Sequence, residues 1–296
     1  MHGVQDVGDG RRLPVSRHFG VVVAACMAFP CRAGGVLDPQ GPVSAAERLI
    51  LLNATGIMLV VALPVIVLTL AFAWWYRASN KRAAYRPEWS YSGHIELVVW
   101  AIPAMVVILL AGVAWTGSHV LDPARPLESD AAPIRIEVVS LDWKWLFIYP
   151  DRQIAAVNEL VVPAGTPLEF ELTSATVMNS FFVPQLGSQI YTMPGMVTRL
   201  NLAADHAGNY AGLSTNFSGD GFSDMRFVVR AVPAAEFAAW LARTRAAGPV
   251  LDEDAYSQLA RADSNAKTQT YRSVDPALFA RIVHKSPPPA ATLREK

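Results

Sequence analysis

The stretch LILLNATGIMLVVALPVIVLTLAFAWWY (49–76) carries no charged side chain from end to end. A helix rises 1.5 Å per residue and a bilayer core needs about 20 apolar residues, so this segment is long enough to cross with some tilt. Pro64 lies mid-span and is expected to bend the helix. Trp74, Trp75 and Tyr76 close it as interfacial anchors. A second uncharged run, Leu97 to Ser118, has Trp100 and Trp115 near its ends. The short loop between the two runs, RASNKRAAYRPEWSYSGH (77–94), sets Arg77, Lys81, Arg82 and Arg86 against Glu88 alone. Excess positive charge marks such a loop as cytoplasmic. The segments on either side then face the opposite compartment, which in a bacterium is the periplasm.

The whole-chain composition agrees with an anchored protein. Hydrophobic residues make up 52% and charged residues 17%, against about 25% charge in soluble domains. Lys plus Arg number 25 and Asp plus Glu number 25, so no basic field exists to attract nucleic acid. Cys26 and Cys31 are the two cysteines of the chain. Their position excludes a disulfide framework, a zinc ribbon or a catalytic thiol in the main body.

Residues 1–31 have the pattern of an export leader. Arg11, Arg12 and Arg17 precede the apolar FGVVVAA (19–25). Two lipoprotein-type processing sites compete here. Val23-Ala24-Ala25-Cys26 has the usual apolar-small-small-Cys order behind a short apolar core. Ala28-Phe29-Pro30-Cys31 has the better core length, but Pro30 is a poor residue at the cleavage point. An ordinary or uncleaved leader with two buried thiols is the third reading.

Beyond the second span the periodicity switches. Asp122-Pro123 and Pro126 punctuate a linker, after which Ile134, Ile136 and Val138 alternate with polar neighbours. Leu168, Phe170 and Leu172 do the same, as do Met225, Phe227 and Val229. Turn residues at 163–165, 184–187, 194–195 and 208 separate these runs. Short alternating strands at this spacing predict a β-sandwich or barrel. Phe237, Trp240 and Leu241 then fall at helical spacing, and Asp275-Pro276 reads as the cap and first turn of a helix carrying Leu278, Phe279, Ile282 and Val283.

These residues carry a resemblance. The segments VLDPQGP (36–42), FAWWYRASNK (72–81), EVVSLDWKWLFIYP (137–150), VMNSFFVPQLGSQIYTMPGM (177–196) and GFSDMRF (221–227) resemble subunit II of the haem–copper respiratory oxidases. Within that family they resemble the bo-type ubiquinol oxidase branch. The resemblance implies a membrane α plus all-β fold, with a two-helix transmembrane hairpin, a cupredoxin-like β-sandwich and C-terminal helices. Its expected parts are a leader (1–31), an N-terminal periplasmic segment (32–48), span one (49–76), a cytoplasmic loop (77–94), span two (95–119), the sandwich (120–232) and a C-terminal helical region with tail (233–296).

The copper-bearing relatives in cytochrome c oxidases hold a binuclear centre through Cys-x3-Cys-x3-His-x2-Met and an upstream His. Here the matching stretch is LSTNFSGDGFSDMRF (213–227). Ser214 and Ser218 fall at the cysteine positions, Phe222 at the histidine and Met225 at the methionine. Asn216 replaces a glutamate that lends its backbone carbonyl, and Asn179 the upstream histidine. Copper of that kind requires soft thiolate and imidazole donors, and a serine hydroxyl is hard and stays protonated. The expectation is a vestigial site that binds no copper, with Met225 serving as a core residue.

Other residues read as structural. His206 is expected in an exposed turn. Trp143, Trp145, Phe147 and Tyr149 form an aromatic stripe expected to pack the sandwich against a partner, with Asp142 and Lys144 as a solvated or interface edge. Glu96, in HIELVVWAIP (94–103), has two readings: a carboxylate favoured by the helix macrodipole, or, by family resemblance, the entrance of a proton pathway. The resemblance assigns the haems, the catalytic copper and the ubiquinol site to subunit I, with no cofactor in this chain. The partners implied are subunit I, the other oxidase subunits and the lipid bilayer, in the bacterial inner membrane. Two other functions remain open from sequence: a redox-active cytochrome c oxidase subunit, and a membrane-anchored cupredoxin-like binding module outside respiration.

Overall fold

Two long helices precede everything else in the computed structural model, which describes residues 35–84 and 86–285. Helix α1 spans Pro42–Trp75 and α2 spans Gly93–Val120, and both are long and apolar enough to cross a membrane. Helix α1 starts at Pro42, ahead of the uncharged run that begins at Leu49, because a proline at the first helical position costs no hydrogen bond. Its polar first turns are docked rather than lipid-facing. Buried Ser44 donates to Gln185 O at 2.7 Å, and Ser188 donates to Glu47. Gly41 is required at this junction, since a Cβ there would meet Ala203 O at 2.2 Å. The helix runs through Pro64 as one element. The two helices approach closely where Gly117 faces Ile50, whose Cδ1 lies 2.9 Å from the position of an added Cβ.

The strands build two facing sheets. Strands β1 (Ile134–Leu141), β2 (Lys144–Tyr149), β3 (Ile154–Val157), β5 (Pro167–Ser174), β8 (Thr198–Ala203) and β12 (Gln269–Tyr271) form a six-stranded sheet in the order β12-β3-β2-β1-β5-β8. Strands β4 (Glu159–Pro163), β6 (Asn179–Phe182), β7 (Ile190–Thr192), β9 (Gly208–Ser214) and β10 (Arg226–Val232) form a five-stranded sheet in the order β4-β10-β9-β6-β7. Neighbours pair antiparallel except β1 with β5 and β10 with β4. The core between the sheets is aromatic: Phe181 stacks on Phe227 at 4.9 Å, and Trp145 meets both edge-on at 5.4 and 5.5 Å.

The aromatic stripe therefore faces inward, not toward a partner. Trp145, Phe147 and Tyr149 are fully buried between the sheets. Their intervening neighbours Leu146 and Ile148 are buried too, because the chain after β10 covers the outer face of the same sheet. A strand covered on both faces loses the solvated edge that alternation suggests. Lys144 follows suit: it is 2% exposed and its Nζ donates to Arg261 O at 2.7 Å. Burial lowers its pKa, opposed by Asp263 and Asp142. Trp143 leaves the stripe altogether. It occupies the tight turn between Leu141 and Lys144, with φ of 65°.

After β10 the chain forms α3 (Ala234–Ala246), which closes the core between the sheets, and then β11 (Val250–Leu251), α4 (Glu253–Leu259), β12, β13 (Ser273–Val274) and α5 (Leu278–Lys285), which supply the outer cover. Helix α3 adds Trp240 against Tyr149 at 5.5 Å. Leu278, Phe279 and Ile282 pack with Val139, Leu146 and Ile148. Asp275 caps the approach to α5, accepting from Ala277 N at 2.9 Å and pairing with Arg281 at 2.7 Å. Three short strands thus accompany the helices expected beyond Val232, and β12 extends the main sheet by pairing with β3.

Gly212 marks the tightest point of this core. An added Cβ would sit 2.1 Å from Phe227 Cζ, inside the aromatic cluster. Overpacking of that kind costs about 1–3 kcal/mol, so Gly212→Ala should lower the urea midpoint of the sandwich clearly, with the denaturant slope unchanged.

A second stability determinant lies on the outer face. Glu137 on β1 stands beside Glu171 on β5 in the parallel register, and Arg135 and Arg199 both pair with Glu171 at 3.4 Å. Burial, with added repulsion from Glu171, raises the Glu137 carboxyl from its ordinary value to about 7. A carboxyl whose pKa is raised on folding favours the folded state while protonated. Stability therefore falls as pH rises from about 4.5 through about 7. Glu137→Gln should remove that dependence, making the variant more stable than wild type at pH 8 but not at pH 4, as read by urea unfolding at both.

Candidate functional site

Three segments meet at one end of the sandwich: the start of β6, the end of β9 and the loop leading to β10. Pairing of Phe181 with Ser214 brings Asn179 beside the loop. Ser214 Oγ lies 3.2 Å from Asn179 Oδ1 and 3.4 Å from Asn216 O. Ser218 Oγ lies 4.0 Å from the sulfur of buried Met225. Asn216 Nδ2 donates to Met178 O at 3.0 Å. Phe222 opens a 3-10 turn, and its ring meets Phe217 edge-on at 5.6 Å. The sequence-predicted cradle residues therefore do assemble in one place.

Their chemistry does not fit a binuclear copper centre. Asn179, Ser214 and Ser218 present neutral, hard oxygens, and two of these already share a hydrogen bond. Phe222 offers no donor atom, which leaves the Met225 thioether as the sole soft ligand of the set. A thiolate-supported metal requires charge and softness that these groups do not supply.

The loop is held instead by Trp143, a contact that sequence reading missed. Its Nε1 donates to Ser218 O at 3.0 Å, and its ring covers Gly221, where a Cβ would lie 2.4 Å from the ring. Gly219 beside it has φ of +103°. A bulky residue at positive φ is strained by roughly 1–3 kcal/mol, and this hydrogen bond and ring contact are what retain it. The signal available was the glycine pair facing a hairpin tryptophan, but only the fold reveals that they touch.

The remaining expected residues lie apart from the cradle. His206 is exposed in the turn before β9 and its carbonyl accepts from Tyr210 Oη at 2.6 Å. Glu96 is in the first turn of α2, the end of that helix remote from the linker to the sandwich. It is exposed, and its backbone N–H bonds Ser92 O at 3.0 Å. Cys26 and Cys31 lie outside the described residues.

A pair of apolar helices carrying a cupredoxin-like sandwich, with a cradle in subunit-II spacing, defines the class: a subunit II of the terminal oxidases. Residues 129–232 match the family described as cytochrome c oxidase subunit II, periplasmic domain, and residues 245–289 match the COX aromatic rich motif. The chain is 48% identical over 250 residues to cytochrome bo(3) ubiquinol oxidase subunit 2 of Pseudomonas aeruginosa, covering 84% of this chain and 76% of that protein. It is 46% identical over 252 residues to ubiquinol oxidase subunit 2 of Acetobacter aceti, covering 84% of this chain and 82% of that one. Among solved structures, the periplasmic domain of subunit II of cytochrome oxidase of Bradyrhizobium japonicum aligns with 24% identity and a TM-score of 0.38, covering 40% of this chain and 96% of that one. The chain belongs to the ubiquinol oxidase subunit 2 family.

Proposed function

We propose that this chain is the non-redox subunit II of a proton-translocating quinol:O2 oxidoreductase in the bacterial inner membrane. The observation that carries the reading is the cradle itself. It keeps the spacing of a copper loop but is closed by hydrogen bonds among Asn179, Ser214 and Asn216, with Trp143 bolted across it. A domain built this way offers no electron relay from a soluble donor. Electrons would come from ubiquinol bound by subunit I, which would also carry the haems and the catalytic copper. This chain would contribute two helices packed on that subunit, a rigid periplasmic cap, and Glu96 as a carboxylate at the cytoplasmic mouth of a proton pathway. The positive loop after α1 supports this orientation, with the sandwich on the periplasmic side. Acylation at Cys31 or Cys26 would add a third attachment to the bilayer, and mass spectrometry of the mature N-terminus decides among the two sites and none.

Affinity purification through a tag on this chain tests the partnership. The expected result is stoichiometric recovery of a many-span, haem-bearing subunit with a haem absorption spectrum. Recovery of the chain alone, from a membrane that contains the oxidase, would instead favour a free-standing cupredoxin-like module.

A further inference from the structure

We infer that the junction between the two helices and the sandwich binds one zwitterionic aminophospholipid, its acyl chain in the groove between α1 and α2 and its headgroup under the linker. Two cavities carry this. The lower, about 680 Å³, is an apolar groove between the helices, floored by Ala46, Gly112 and Gly117. Space beside Gly112 is open, since an added Cβ there would meet nothing within 4 Å. The upper, about 320 Å³, lies where the linker crosses the start of α1 and strand β8. Val120 and Leu121 line both, so the two cavities adjoin along the end of α2. The linker is fixed there, because Asn201 donates to Pro123 O through both its backbone N (2.9 Å) and its Nδ2 (3.2 Å).

Charge decides the occupant. The upper cavity is lined by one cation, Arg125, and two carboxylates, Asp122 and Glu128. A phosphate beside Arg125 and an ammonium beside the carboxylates complement that set, as a phosphatidylethanolamine headgroup does. A purely anionic headgroup would meet two like charges. A transmembrane helix of another subunit would cover the lower groove but leave all three charges without complement. An acyl chain in the groove gains van der Waals packing against the two helices, while the headgroup contacts set which lipid is held.

The inference rests on the membrane-spanning reading of the helices, so membrane retention of the assembled complex is measured first. The complex is then reconstituted with phosphatidylethanolamine carrying a diazirine midway along one acyl chain, irradiated, and the labelled peptides mapped. The expected label falls on the α2 segment around Gly112. Gly112→Phe, whose ring takes the acyl chain's place in the groove, should reduce it about tenfold. Arg125→Glu, which leaves the helices untouched, should reduce it about threefold, as loss of one exposed ion pair does. Haem content verifies that both variants assemble. Absence of label around Gly112 in a membrane-embedded complex, or label unchanged in both variants, overturns the lipid site alone. Equal labelling by the phosphatidylglycerol analogue overturns the headgroup assignment. A complex released from the membrane by alkaline wash would overturn the spans and the lipid site together.

Discussion

The sandwich carrying Asn179→His, Ser214→Cys, Ser218→Cys and Phe222→His should bind copper as a binuclear centre and turn coloured through thiolate-to-copper charge transfer. The argument is geometric. Ser214 already lies beside Asn179 at 3.2 Å and Ser218 beside the Met225 sulfur at 4.0 Å, so the substituted ligands would converge without moving strands. Asn216 keeps its backbone carbonyl close to position 214 at 3.4 Å and need not change. The principal cost is at Phe222, whose ring pairs with Phe217, itself 74% exposed. Loss of an edge-on pair at an exposed site costs about 0.5–1.5 kcal/mol, small beside the binding free energy of a thiolate metal site. Residues 124–285 suffice for the experiment, because both buried clusters of the sandwich draw on residues between Ile136 and Ile282 and on neither helix. The wild-type domain should stay colourless in the same copper titration. A variant that is folded by circular dichroism yet binds no copper would show that the Trp143 contact has reset the loop to a shape that no metal fits.

Glu96→Ala in the assembled oxidase should lower quinol-driven oxygen consumption by about tenfold, less than the roughly 10²–10⁴-fold that a group transferring a proton at the reacting atoms supplies, because the place proposed for Glu96 is a pathway entrance. Assembly should survive, because Glu96 is exposed in the first turn of α2. Glu96→Asp keeps the carboxyl and should recover part of the rate, while Glu96→Gln keeps the shape but not the proton and should not. Full turnover in Glu96→Ala with normal haem content would return this residue to the macrodipole reading. A carboxylate at a helix N-terminus stabilises by only about 0.3–1 kcal/mol.

Particular residues explain why some of this was legible in the sequence. The helices announce themselves because the uncharged runs from Leu49 and from Leu97 exceed what a bilayer needs. The strand positions of Ile136, Val138, Phe170 and Phe227 follow from alternation, and the cap at Asp275 from its own dipeptide. The cradle was visible as spacing: Ser214, Ser218, Phe222 and Met225 keep the intervals of a metal loop, and the fold brings them together with Asn179. What alternation cannot report is which face is buried when both are. The stripe through Tyr149 faces the second sheet, while Leu146 and Ile148 on the opposite face are covered by a layer that arrives from residues 251–282, more than a hundred positions away, and Lys144 is held there by Arg261 O. The Glu137–Glu171 neighbour pair depends on a parallel register, and the Trp143 latch on a turn with positive φ. Neither is written in local sequence.

The central claim is that the periplasmic domain has no part in electron delivery, so the donor is a quinol and not a cytochrome. Oxygen consumption by the purified complex, measured side by side with ubiquinol and with reduced cytochrome c, tests it most directly. Rapid, inhibitor-sensitive consumption with ubiquinol and none above background with cytochrome c is the result predicted. Turnover sustained by reduced cytochrome c, with copper found in this chain, would contradict it.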